Sequence, residues 1–118
     1  MTPASRKAAA FLLIVLPSVI FGGTSLLTLL ISDPTYAANP LRQDLWRAGH
    51  AHAGVLLLLS LVVLRYVDEA RLPAGLMHFT RWAAPSAALI LPLAFFLSVL
   101  TPDASAPDGL INRAYLAA

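Results

Sequence analysis

Residues 8–31 read AAAFLLIVLPSVIFGGTSLLTLLI, 24 consecutive positions without a formal charge. Coiled as one α-helix the stretch is about 36 Å long, against a hydrocarbon core of about 30 Å. It is long enough to cross a bilayer with some tilt. Arg6 and Lys7 precede it, as basic residues precede a secretory signal, and Tyr36-Ala37-Ala38 loosely imitates a cleavage site. Signal cores are only about 7–15 residues long, so the stretch reads as a retained span.

Two further apolar runs follow. Residues 48–64 contain only His50 and His52 as ionisable groups, and residues 83–101 carry no charge. The first of these is short for a span, but Asn39-Pro40 reads as an N-cap followed by proline at the first helical position, which starts the helix earlier. The expected spans are about 8–31, 40–67 and 75–101. Asp108-Gly109 then begins a stub over 109–118, too short to cross, and the sequence predicts that it is the start of a fourth helix. The expected fold is all-α: a single polytopic transmembrane bundle over residues 1–118.

Composition agrees. Hydrophobic residues make up 58% of the 118 positions and charged residues 12%, about half the share usual in soluble domains. The net charge of +2 is small and scattered, which excludes a nucleic-acid partner on charge grounds. With no cysteine, disulfides and cysteine-ligated metal centres are excluded. Placing the N-terminus in the cytoplasm puts Arg6, Lys7, Arg65, Arg71 and Arg81 inside and Arg42, Arg47 and Arg113 outside. That bias follows the positive-inside rule and points to a multi-pass protein of the cell membrane, the inner membrane of a bacterium. Trp46 and Trp82 sit where aromatic belts belong.

Pro17, Pro85 and Pro92 fall inside the spans and predict kinks. Pro85 and Pro92, seven residues apart, share a face. Gly49 with Ala53, and Ser18 with Gly22, are small pairs four apart that let helices approach closely. Ser60 continues the first stripe. Ser25, Thr28, Ser86 and Ser98 can bond their own helix backbone. His78 reads as a solvated loop residue.

The chemically richest segment is Arg47-Ala48-Gly49-His50-Ala51-His52-Ala53-Gly54. Ionisable groups at membrane depth usually face the bundle or a wet cavity. Positions i and i+2 on a helix differ by about 200°, so His50 and His52 point apart and cannot chelate one metal together. Gly54 shares the stripe of His50 and would leave room for a flat ligand such as a porphyrin. Four readings stay open: a heme axial ligand, a metal ligand, a proton relay, or an interfacial histidine that packs helices.

Two resemblances follow from these residues. The block from Asn39 to Arg47, leading into Gly49 to Gly54, resembles small uncharacterised bacterial integral membrane proteins of four predicted helices; that likeness implies the fold and no activity. The His50-Ala51-His52 helix, preceded by Arg47, is also similar to the histidine helices of heme–copper oxidase and nitric oxide reductase catalytic subunits. This second likeness implies His50 or His52 as axial ligand to a heme b, bridged between two copies. The chain lacks the further histidines of those subunits, so oxidase activity does not follow.

No paired intramembrane carboxylates, Ser-His-Asp set or phosphate loop appears in the sequence. The leading expectation is a non-enzymatic accessory, assembly or structural component of a membrane complex, with the lipid bilayer and a homo-oligomer or larger complex as partners. The alternatives are a heme- or metal-binding membrane protein and a small transporter-like or channel-like bundle.

Overall fold

The computed structural model describes residues 1–117, apart from the side chain of residue 115. It is all-helical: α1 (Pro3–Ser32), α2 (Pro34–Ala37), α3 (Pro40–Tyr66), a 3₁₀ turn (Val67–Glu69), α4 (Ala74–Leu97) and α5 (Leu110–Ala117). Among the described residues, three helices are long and apolar enough to cross a membrane. This is the architecture of a multi-pass membrane bundle.

Local chemistry sets the boundaries. Thr2 caps α1 by accepting from the Ser5 amide, with Pro3 opening the helix. Asp33 ends α1 and caps α2, accepting from the amides of Thr35 and Tyr36. Asn39 caps α3 through its side-chain oxygen and the Arg42 amide, with Pro40 first in the helix. Each proline sits where its missing N–H costs nothing. The helix of the third apolar run ends at Leu97, earlier than position 101, because the chain turns back and the Asp108 amide bonds the Ser98 carbonyl. His78 lies within α4 and not in a loop, although it is exposed.

α3 is the middle helix, packed against α1 on one side and α4 on the other. The molecule measures 52 × 27 × 14 Å. A helix with side chains is about 10–12 Å across, so the three long helices form a layer one helix thick. One core patch joins Ala8 and Leu12 of α1 to Leu57 and Leu64 of α3. A second joins Leu91, Ala94 and Phe95 of α4 to Ala114 of α5. Pro85 and Pro92 are both buried within α4. Beyond Leu12, α1 buries no residue, and Ile14, Phe21 and Ile31 are more than 70% exposed. In water that surface would be untenable; in hydrocarbon it is solvated.

Each end of the layer is tied by polar contacts. At the α1 N-terminus, the Asp68 carboxylate accepts from the Thr2 amide, the Thr2 and Ser5 hydroxyls and the Arg81 guanidinium, while Arg81 Nε donates to the Ser5 hydroxyl. At the opposite end, Arg42 donates from Nε to the Val99 carbonyl at 3.0 Å and from Nη2 to the Leu100 carbonyl at 3.2 Å. Trp46 Nε1 donates to the Phe96 carbonyl, and Asn39 donates to the carbonyls of Pro102 and Ala104. The Phe96 carbonyl is one that the helix end leaves without a partner, and the others belong to the loop that follows α4. The block from Asn39 to Trp46 is thus a clamp on the C-terminus of α4.

Candidate functional site

The histidine segment forms the third and fourth turns of α3, and its two imidazoles diverge as the helical geometry requires. His50 faces α1. A Cβ added to Gly23 would lie 2.8 Å from His50 Nε2 and 3.0 Å from Cε1, while one at Gly22 would stand 3.7 Å from Nδ1. The ring is seated against the glycine pair, and only glycine at 23 leaves it room.

His52 faces α4. Its ring lies 5.0 Å from that of Phe95, inclined at 30°. Its Nδ1 is 2.7 Å from the Ala48 carbonyl. A carbonyl only accepts, so this contact places a proton on Nδ1.

The small residues divide between the same two interfaces. A Cβ at Gly49 would meet Phe95 Cβ at 3.1 Å, Phe96 Cε2 at 3.1 Å and the Pro92 carbonyl oxygen at 3.2 Å. There α3 and α4 approach closely. Ala53, Ser18 and Gly22 line a cavity of about 180 Å³ between α1, α3 and α4, with His50 at one end. Ser18 turns its hydroxyl onto the Val15 carbonyl. Gly54 does not open a slot beside His50: its absent side chain faces Val19, 3.9 Å from where a Cβ would stand. The glycine that makes space for the imidazole is Gly23, on another helix, and no local spacing in the histidine segment reveals it.

On the far side of His50 a second groove, of about 250 Å³, is lined by Gly23, Leu27, Leu30, Tyr36 and Arg47. Tyr36 is 1% exposed and stacks on Trp46 at 5.4 Å; its hydroxyl lies near the Arg47 guanidinium, which can only donate, and its own proton has no acceptor. Burial pushes the phenol above its ordinary pKa, against a smaller opposing pull from Arg47 and Arg42, so it is neutral and able to donate. An unsatisfied buried hydroxyl costs about 1–3 kcal/mol. Arg47 donates to Gln43 Oε1, and Gln43 in turn donates to the carbonyls of Tyr36 and Ala37. Among the described residues Arg47 has no carboxylate within ion-pair distance. Tyr36 was unmarked in the sequence except as part of a cleavage-like triplet; its position follows from the Asp33 cap, which folds 34–37 back onto α3.

These dimensions decide what the histidines can hold within one chain. Both spaces beside His50 are smaller than the roughly 300–1,000 Å³ usual for small-molecule pockets, and α1 stands against Nε2. Among the described residues no three histidine or acidic side chains gather as a metal-binding group. No protein-family profile, curated protein or solved structure matches the chain.

Proposed function

We propose that the chain is a non-enzymatic integral component of the cell membrane, N-terminus in the cytoplasm, serving as an accessory, assembly or structural subunit of a larger membrane complex. The observation that carries this reading is how the polar side chains are used. Arg42, Trp46, Asn39, Asp68 and Arg81 bond helix ends, the loops beside them and one another, which commits most of the polar side chains to holding the bundle together. The single layer supports it as well, because a sheet of helices exposes both faces to neighbours. Membrane helices associate by close packing and interhelical hydrogen bonds, and such faces allow it.

Site-specific photocrosslinking in native membranes tests the proposal. A crosslinker at Phe21 or Leu58, both exposed, is expected to yield one protein adduct of fixed mass, and deletion of the chain should lower the amount of that partner. Adducts with lipid alone, together with a partner-independent monomer after mild extraction, would contradict it.

A second reading is a heme or metal ligated by His52, shared between two copies. Its support is the Nδ1 contact with the Ala48 carbonyl, since ligating histidines commonly donate their other nitrogen to a carbonyl and present Nε2. A Soret band lost in His52→Ala would establish it. The channel-like reading needs several copies, because one layer of helices encloses no lumen.

A further inference from the structure

We propose that the groove between α1, α2 and α3 binds the anionic headgroup of a membrane lipid, with Arg47 as its counter-ion, the Tyr36 hydroxyl and His50 as hydrogen-bonding groups, and the acyl chain lying along Leu27 and Leu30. Three observations combine. Arg47 is a cation without an acidic partner among the described residues, and Gln43 holds it in place by bonding α2 on one side and the guanidinium on the other. Tyr36 is almost wholly buried, its hydroxyl proton has no acceptor in the chain, and it lines this groove beside Arg47. The remaining wall is leucine, and Leu27 and Leu30 are 59% and 40% exposed, so the apolar wall runs from the groove out to the lipid-facing surface.

The ligand chemistry follows from that lining. A guanidinium, a neutral phenol and an imidazole offer donors, and the guanidinium favours charged oxygen over a neutral carbonyl. The groove's volume of about 250 Å³ holds a headgroup oxyanion and little more, so the rest of the ligand must lie outside it. α2 and the start of α3 lie at one end of the layer, where phospholipid headgroups meet a spanning helix. An anionic phospholipid supplies both parts. The inference goes beyond the accessory reading and holds with or without a protein partner; it needs only that the chain sits in a bilayer.

The test uses the full chain in a neutral detergent, with thermal unfolding followed by circular dichroism. Phosphatidylglycerol is titrated into wild type, Tyr36→Phe, Arg47→Gln and, as a distant control, Arg113→Gln. Phosphatidylcholine and inorganic phosphate are titrated alongside. Phosphatidylglycerol is expected to raise the unfolding midpoint of wild type and Arg113→Gln, and Arg47→Gln to weaken apparent affinity by about tenfold or more, as loss of a charged hydrogen bond implies. Tyr36→Phe separates binding from folding. It removes a hydroxyl whose proton has no acceptor in the chain, so without lipid its midpoint should stay close to that of wild type, while its lipid-induced shift shrinks. Should Arg47→Gln fail to fold, Tyr36→Phe carries the test alone. An equal shift from phosphatidylcholine, a full shift from inorganic phosphate, or an undiminished shift in Tyr36→Phe would each overturn the proposal.

Discussion

His50 occupies the place where a side chain at residue 23 would stand: a Cβ on Gly23 would come within 2.8 Å of His50 Nε2. The ring must shift to admit a methyl group, so Gly23→Ala is expected to destabilise the bundle by about 1–3 kcal/mol through overpacking. Gly22→Ala, at ordinary contact distance from the same ring, should stay within about 1 kcal/mol of wild type. Denaturation in detergent micelles checks both, and the pair Gly23→Ala with His50→Ala should recover most of the loss. A Gly23→Ala protein as stable as wild type would refute the packing.

Gly49, against α4, and Gly54, against α1, offer the same contrast. A methyl group at 49 meets the Pro92 carbonyl and two phenylalanine side chains at 3.1–3.2 Å, whereas at 54 it meets only Val19 at 3.9 Å. Gly49→Ala should cost about 1–3 kcal/mol and Gly54→Ala less than about 0.5 kcal/mol, measured by the same unfolding transition.

Arg42 is 6% exposed, donates to two carbonyls beyond the end of α4 and lies 4.4 Å from the Trp46 ring centroid. Arg42→Met should lower stability by about 2–3 kcal/mol, the range for charged hydrogen bonds lost from a buried site. Arg42→Lys should rescue little, since an ammonium cannot reproduce a forked, stacked guanidinium. Rescue by lysine to wild-type stability would show that charge alone matters.

The Asp33 carboxyl is held below its ordinary pKa, first by the Thr35 hydroxyl and then by the Tyr36 amide. A depressed carboxylate contributes stability that is complete above its unfolded value of about 4 and is lost as pH falls through the folded one. Emission from Trp46, which stacks on Tyr36, reports α2 in a Trp82→Phe background. It should stay constant from neutrality to about pH 4 and change only below. Asp33→Asn should remove that acid transition; a change centred near neutrality would contradict the assignment.

Periodicity and capping made much of the fold legible. Asn39-Pro40 locates the start of α3, and the two-residue spacing of His50 and His52 sends them to different helices, both consequences of geometry within one helix. What the sequence concealed is nonlocal. Arg42 looks like an interfacial charge on the outer side of the membrane, yet it reaches across to the carbonyls of residues 99 and 100, an assignment that depends on where α4 ends. Gly54 shares a stripe with His50, but the glycine that receives the imidazole is Gly23, contributed by a helix whose register against α3 no local pattern fixes. Tyr36 acquires its buried position only because a single turn after Asp33 folds it onto Trp46.

Native cysteines are absent, so single-cysteine labelling with a membrane-impermeant maleimide in intact cells reads the topology directly. Ala38→Cys and Ser105→Cys are expected to react from outside, and Ala70→Cys only after lysis, because α3 and α4 each carry the chain across once. Labelling of residues 70 and 105 from the same side of an intact membrane would contradict the three-span bundle on which the functional reading stands.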